Sequence, residues 1–290
     1  TQTGQLDEII NRIITPISQS SIQVIHEKLV PLNPFPFPWP LFKFLDVFPE
    51  SVLLEPIPLQ PFNFNVEEDY DLIIIGYTAW YLSPSLPITA FLKSETAKNI
   101  LKNKPVITLI ACRNMWLMAQ EKVKRILQNL NANLIDNIVL TDQSPPFASF
   151  ITTPRWMFTG KKDPFLGIFP KAGISKNDIT NSIRFGERIA ITKEYNKSIL
   201  KGLNPAVVNT DYIASEKIGN RVFNIWAKFL KKMGPPGKRN IGLFLFLIYL
   251  VTIIVTIVPI TLIIKKIFKP FLIKKLLKEK AYFELPSGSN

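Results

Sequence analysis

The sequence predicts an α/β domain, a parallel sheet with helices on its faces, followed by one transmembrane helix near the C-terminus. Three observations carry this. Helical and strand-like patterns alternate from the N-terminus to about residue 140, the signature of strands joined by crossover helices. Two runs, 71–77 (DLIIIGY) and 105–111 (PVITLIA), are continuously apolar at the length of a strand buried on both faces. A third run, 241–264, holds 24 residues without a charge.

Taken in order, residues 6–17 place Leu6, Ile9, Ile10, Ile13 and Ile14 on one helical face, the 3.6-residue period of an amphipathic helix. Residues 22–29 read as a short strand. The segment 34–40 (PFPFPWP) forbids helix and central strand, because its prolines lack the N–H and fix φ; it reads as an extended aromatic loop. After the 71–77 strand, residues 87–101 read as a helix. Beyond the 105–111 strand come an amphipathic helix over 115–130 and a strand at 137–140. Residues 141–236 are rich in Pro, Phe and Gly and read as an irregular extension packed on the first unit, a possible substrate cap. The expected organisation is therefore 1–140 as the sheet domain, 141–236 as its extension, 241–264 as the membrane helix and 265–290 as a basic amphipathic tail.

At about 1.5 Å per residue, 24 uncharged residues are long enough for a ~30 Å hydrocarbon core, and Pro259 is a kink that membrane helices tolerate. Charge agrees with this. The formal net charge is +13, but it is unevenly placed: residues 1–220 carry 22 Lys+Arg against 20 Asp+Glu, and residues 221–290 carry 13 against 2. Cations that flank the most apolar stretch suit anionic lipid headgroups rather than nucleic acid. Lysines and arginines lie on both sides of the run, so positive-inside counting is nearly tied. The expected location is a bacterial inner membrane, single-pass, with the N-terminal domain cytoplasmic; a monotopic or re-entrant arrangement is the alternative.

One cysteine, Cys112, excludes an internal disulfide framework and suits a reducing compartment. One histidine, His26, together with one cysteine does not make an ordinary zinc site, and His26 lies far from any nucleophile signature. Metal and hydrolase chemistry are disfavoured.

Three loops carry the remaining signal. Thr1, Gln2, Thr3, Gly4 and Gln5 precede the first helix, where backbone N–H groups, hydroxyls and a helix N-terminus converge on an anion; a plain helix cap is the common alternative. The second loop, from Gly76 through Ala79, Trp80 and Tyr81 to Pro87, leaves the 71–77 strand. The third, with Cys112, Arg113 and Asn114, leaves the 105–111 strand. Ligands of open α/β sheets bind at such strand ends. Core or rim packing is the ordinary reading of Trp80 and Trp116, and a small buried side chain that of Cys112.

The set TQTGQ, GYTAWYLSPSLPITAFL and ITLIACRNMW resembles the three FMN loops of flavodoxin-like proteins, over roughly residues 1–140. The resemblance implies that Thr1, Gln2, Thr3, Gly4 and Gln5 take the phosphate, and that Ala79, Trp80, Tyr81, Cys112, Arg113 and Asn114 line the flavin ring. Leu6 departs from the family, which has Thr or Ser there. The family's phosphate loop also follows a first strand in mid-sheet, and this sequence contains none; the expectation is a sequence truncated by a strand's length, folding poorly as it stands. FPFPWP, DVFPESVL, ACRNMWLMAQEKVK and RWMFTGKKD further resemble the dialkylresorcinol condensing enzyme (aromatase) family of bacterial aryl-polyene and flexirubin-type pigment clusters. That resemblance implies FMN-dependent oxidation of a lipophilic dialkyl cyclohexane-dione to a resorcinol, with a partner ketosynthase making the carbon–carbon bonds. Tyr81, Arg113 and Arg155 are the candidate acid–base residues. A flavodoxin-like electron carrier or quinone-reductase-like protein serving a membrane partner is the alternative, and a scaffold that has lost FMN is a third reading.

Overall fold

The computed structural model describes residues 2–288. Its centre is a three-stranded parallel sheet flanked by helices. The elements run α1 (Gln5–Ser18), α2 (Leu41–Asp46), α3 (Phe48–Leu53), β1 (Ile73–Tyr77), β2 (Ala79–Trp80), β3 (Ser83–Pro84), α4 (Leu86–Leu92), α5 (Glu95–Leu101), β4 (Pro105–Cys112), α6 (Leu117–Asn129), β5 (Asn133–Thr141), α7 (Pro146–Thr159), α8 (Lys176–Asn181), α9 (Ile183–Ile191), α10 (Thr210–Met233) and α11 (Asn240–Thr252), then a π-helical turn (Ile253–Ile257) and α12 (Val258–Glu284).

Strand order is β1-β4-β5. Ile73 pairs with Val106 and Tyr77 with Ile110 on one side of β4, while Pro105 pairs with Asn133 and Cys112 with Thr141 on the other. β4 is the central strand and is almost wholly buried, which explains its unbroken apolar run. On one face, Ile75, Val106 and Ile110 pack against Leu92 of α4, Leu101 of α5 and Val123 and Leu127 of α6. On the other, Ile107, Leu109 and Ile138 pack against Ile9 and Ile13 of α1 and Phe185 and Ile189 of α9. A polar chain runs inside the first layer: Tyr77 Oη donates to Gln120 Oε1 (2.5 Å), Gln120 Nε2 to Thr108 Oγ1 (2.9 Å), and Thr108 Oγ1 to Asn137 Oδ1 (3.0 Å). Each bond satisfies groups that are costly to bury alone. A smaller core joins Leu45, Phe48 and Val52 to Ala227 and Leu230 of α10 and Leu243 and Phe246 of α11.

The edges of the sheet differ. β5 is covered: Val139 N donates to Pro205 O and Asn137 N to Ser287 Oγ. β1 pairs with β4 alone among the described residues. Residues 22–29, expected as a strand, form no regular element and join no ladder; Ile22 and Val24 pack on the α1 side of the sheet. The apolar residues find the core, but a strand also needs backbone hydrogen bonds to a neighbour. The expected helix at 87–101 is two helices. Ser94 breaks it, its hydroxyl accepting from Ala97 N at the start of α5. The region 141–236 is more regular than its composition suggested, with α7 to α10.

The membrane expectation is corrected. No helix among the described residues is long and apolar enough to cross a membrane, so the transmembrane assignment of 241–264, and with it the single-pass inner-membrane location with a cytoplasmic N-terminal domain, does not stand. The run is divided. α11 has 13 residues, about 20 Å at 1.5 Å per residue and short of a ~30 Å core. The π-helical turn interrupts the regular ladder after it, and α12 carries the lysines that follow. One face of α11 is already used, since Gly242, Leu243 and Phe246 are buried against the protein. The end of the chain returns to the domain: Phe283 packs in the main core and Tyr282 Oη donates to Glu121 Oε2 (2.8 Å).

Candidate functional site

α1 lies across the sheet with its N-terminus at the carboxyl end of β1. A Cβ on Gly76, the fourth residue of β1, would stand 2.8 Å from Ile10 Cδ1 and 3.6 Å from Leu6 Cδ1, so the first turns of α1 cover that strand end directly. Gln5 then ties α1 to a distant segment: its Nε2 donates to Ile174 O (3.1 Å) and its Oε1 accepts from Ile174 N (3.2 Å). Gly173 has φ +94, and a Cβ there would stand 2.5 Å from Gln5 Oε1; only glycine allows both that backbone and that approach. Asp142, just beyond β5, accepts from Gly173 N through Oδ2 (3.0 Å), while its own N–H reaches Arg113 O (3.0 Å). Gln5, the 173–174 segment, Asp142 and the Cys112–Arg113 turn are thus linked in series beside the carboxyl ends of the parallel strands.

The loop after β1 is a tight hairpin. β2 and β3 pair antiparallel, Trp80 opposite Ser83, with Tyr81 (φ +51) and Leu82 (φ +58) between them. Two left-handed residues in succession are the backbone of a hairpin turn that normally selects Asn-Gly. Tyr and Leu there carry strain that the surroundings must hold. Tyr81 is held by its Oη donating to Phe44 O (2.7 Å) and by packing on Phe44 and Phe48; burial pushes its pKa well up. Lys122 Nζ, from α6, donates to Ser83 Oγ (2.7 Å) and Val52 O (3.2 Å), and burial lowers its pKa to about 8, with Arg125 adding to the fall. Trp80 meets Trp39 and Phe35 edge to face, and Trp39 continues to Phe44 and on to Phe158 of α7. This aromatic wall joins Phe35 and Trp39 of the PFPFPWP loop to Trp80, Phe44 of α2 and Phe158 of α7.

The third loop is the more polar. Arg113 Nε donates to Ser149 Oγ (3.0 Å) and its guanidinium lies 4.0 Å from the Phe150 ring centre. Burial lowers its pKa, and Tyr212, Asp142 and Cys112 oppose that fall. Burial, with Glu216 nearby, drives the Cys112 thiol far above the usual thiol range, so it is not a thiolate. Glu216 of α10 is buried and its Oε2 accepts from Met118 N (3.0 Å) at the start of α6; burial pushes its pKa up to about 8 against the lowering effect of the Met118 and Leu117 amides. Met115, at φ +56, makes the turn into this helix.

The sequence-predicted residues divide. Gln2, Thr3, Gly4 and Gln5 are together at the N-terminus of α1; Thr1 lies outside the described residues. Cys112, Arg113 and Asn114 are one strand over from them, and the Cys112 thiol meets the Ala79 backbone, which brings the second and third loops into contact. Tyr81 is at the loop but turned into the smaller core. Arg155 is turned to the 161–169 loop, its Nη1 holding Lys161 O (3.1 Å) and Asp163 O (2.8 Å) while its guanidinium covers Phe165. Sequence reasoning missed Asp142, Ser149, Gly173 and Glu216, which come from the irregular-looking 141–236 region. Asp142 alone had a local signal, as an acidic residue one position beyond a strand.

The arrangement suits an anion at one end. Gly4 adopts φ +75 with nothing within 4 Å of the place of a Cβ. The first amides of a 14-residue helix lack acceptors within the helix and carry its positive end. Asp7 and Glu8 in that first turn oppose an anion, and Asp7 is offset by Lys28 at 2.9 Å. At the other end the Ala79 backbone meets the Cys112 thiol, while the Trp80 ring packs on Phe35 and Trp39 and Tyr81 is turned into the smaller core. No family model, curated protein or solved structure matches this chain.

Proposed function

We propose that the chain is a flavodoxin-like, FMN-binding oxidoreductase that aromatises a lipophilic cyclic dione, as its resemblance to the dialkylresorcinol enzymes implies. The observation that supports the reading is a helix N-terminus bearing Gly4 at the carboxyl end of β1, tied through Ile174, Gly173 and Asp142 to the loop that leaves β4. Phosphate-binding α/β proteins use such a helix end, and they bind their ligands at the strand ends. The resemblance carries the choice of FMN and of substrate.

In this reading Gln2, Thr3, Gly4 and the amide of Gln5 hold the phosphate, while Ala79, Trp80, Cys112, Arg113 and Asn114 border the ring. Bound FMN would supply the acceptor for the hydride lost on aromatisation. Arg113 is the residue that touches substrate: its partly desolvated guanidinium donates to a ring oxygen and stabilises the negative charge left as a ring proton passes to solvent water. The wall of Phe35, Trp39, Phe44 and Phe158 takes the alkyl chains. The partner ketosynthase enters on the resemblance alone.

Titrating FMN into purified full-length protein tests the reading. Quenched flavin fluorescence and a shifted visible spectrum are expected, both lost in Gly4→Asp, which places a carboxylate at the phosphate position. Protein that leaves the spectrum and fluorescence of added FMN unchanged overturns it. Conversion of a cyclic dione to a phenol separates an enzyme from an electron carrier.

A further inference from the structure

α11 is apolar on two faces. Gly242, Leu243 and Phe246 are buried against the protein, while Ile241 (75% exposed), Phe244 (52%), Leu245, Ile248 and Val251 face outward. Their spacing of three and four residues makes one stripe, which Ile254 and Val255 (67%) extend through the π-helical turn. α10 adds Ile225 (69%) and Phe229 (45%) beside it, since Trp226 packs on Phe246 and Tyr249. Contiguous apolar surface on this scale marks an interaction site. The charges around it have one sign: Arg221, Lys228, Lys232 and Lys238 before the stripe and Lys274, Lys275 and Lys278 after it are exposed, and no Asp or Glu occurs between residues 217 and 278.

We infer that this face docks flat on an anionic lipid bilayer, α11 and the π-helical turn lying in the plane of the headgroups with the exposed stripe buried among the upper acyl chains. Two arguments choose lipid over a second protein. Protein interfaces are depleted in lysine, whereas an apolar stripe between lysines is the pattern of an interfacial helix. The acids packed nearby, Asp46, Glu50 and Glu55, are already paired with Arg239 and Lys231, which leaves little counter-charge for a second copy, while each lysine near an anionic leaflet adds attraction. The helix need not span anything: a face buried by its own protein leaves only the outer half for lipid. This inference is independent of the flavin reading.

Flotation of the full-length chain tests it, with vesicles of phosphatidylcholine alone and of phosphatidylcholine mixed with phosphatidylglycerol. The protein is expected to float with the anionic vesicles and to be released by high salt. Phe244→Asp/Ile248→Asp should weaken binding at least about tenfold, and Lys274→Glu/Lys275→Glu by a similar factor, with far-UV circular dichroism unchanged because all four side chains are exposed. Three results overturn the inference: protein that stays at the bottom with anionic vesicles, an aspartate variant that floats like the parent, or a non-floating dimer by light scattering that the aspartate variant splits. FMN binding should be the same in the parent and both variants, so failure here leaves the flavin reading standing.

Discussion

Glu216→Gln isolates the cost of burying one carboxyl. In the fold Glu216 is 1% exposed, and burial raises its pKa from 4.5 to about 8. The folded protein therefore keeps this proton up to about pH 8, while the unfolded chain loses it near 4.5. Between those values the unfolded state binds fewer protons, so stability is fully present below 4.5 and declines as pH rises toward 8. At about 1.4 kcal/mol per unit, the decline is ~5 kcal/mol over the whole window and ~3 kcal/mol by pH 7. Glutamine preserves the shape and the acceptor for Met118 N but does not ionise. Urea unfolding of both proteins across the window should give nearly equal stability at the acid end and a variant increasingly more stable toward pH 8. Parallel stability curves, with a constant difference between parent and variant, would refute the reasoning, because they would mean the carboxyl ionises alike in both states.

Other substitutions probe the frame around the site. Gly186→Ala on α9 should cost ~2 kcal/mol or more in thermal or urea unfolding, because the new Cβ would stand 1.9 Å from the Ile13 carbonyl oxygen in the α1 backbone. Arg239 has a fully buried side chain, bonded to Asp46 Oδ1 (2.6 Å) and Glu50 Oε2 (2.6 Å); Arg239→Ala should destabilise by about 3 kcal/mol, since it leaves Asp46 with the Gly237 amide and Glu50 with Lys231 at 3.3 Å. Adding Glu50→Gln should then cost less than it does in the parent. Lys122 titrates near 8 in the fold and at 10.5 unfolded, so the parent should gain stability relative to Lys122→Met as pH rises through that interval, read from unfolding midpoints.

The amino-acid pattern by itself determined the periodic elements. The spacing of Leu6, Ile9 and Ile13 specifies α1, the unbroken apolar run of 105–111 specifies a central strand, and the strand-end loops with Ala79, Trp80 and Arg113 follow from both. These features are local and repeat within a few residues, so they are readable along the chain. Tertiary structure decided what depends on partners. Residues 22–29 have strand chemistry but join no backbone ladder, and Tyr81 faces the smaller core because Phe44 O and Phe48 are there to receive it. Asp142, Gly173 and Glu216 reach the strand ends through contacts between segments far apart in sequence. The 241–264 run shows the division most clearly. Its hydrophobicity is a property of composition, but only packing could show that Leu243 and Phe246 are spent on the protein's own core, leaving α11 with one outward face.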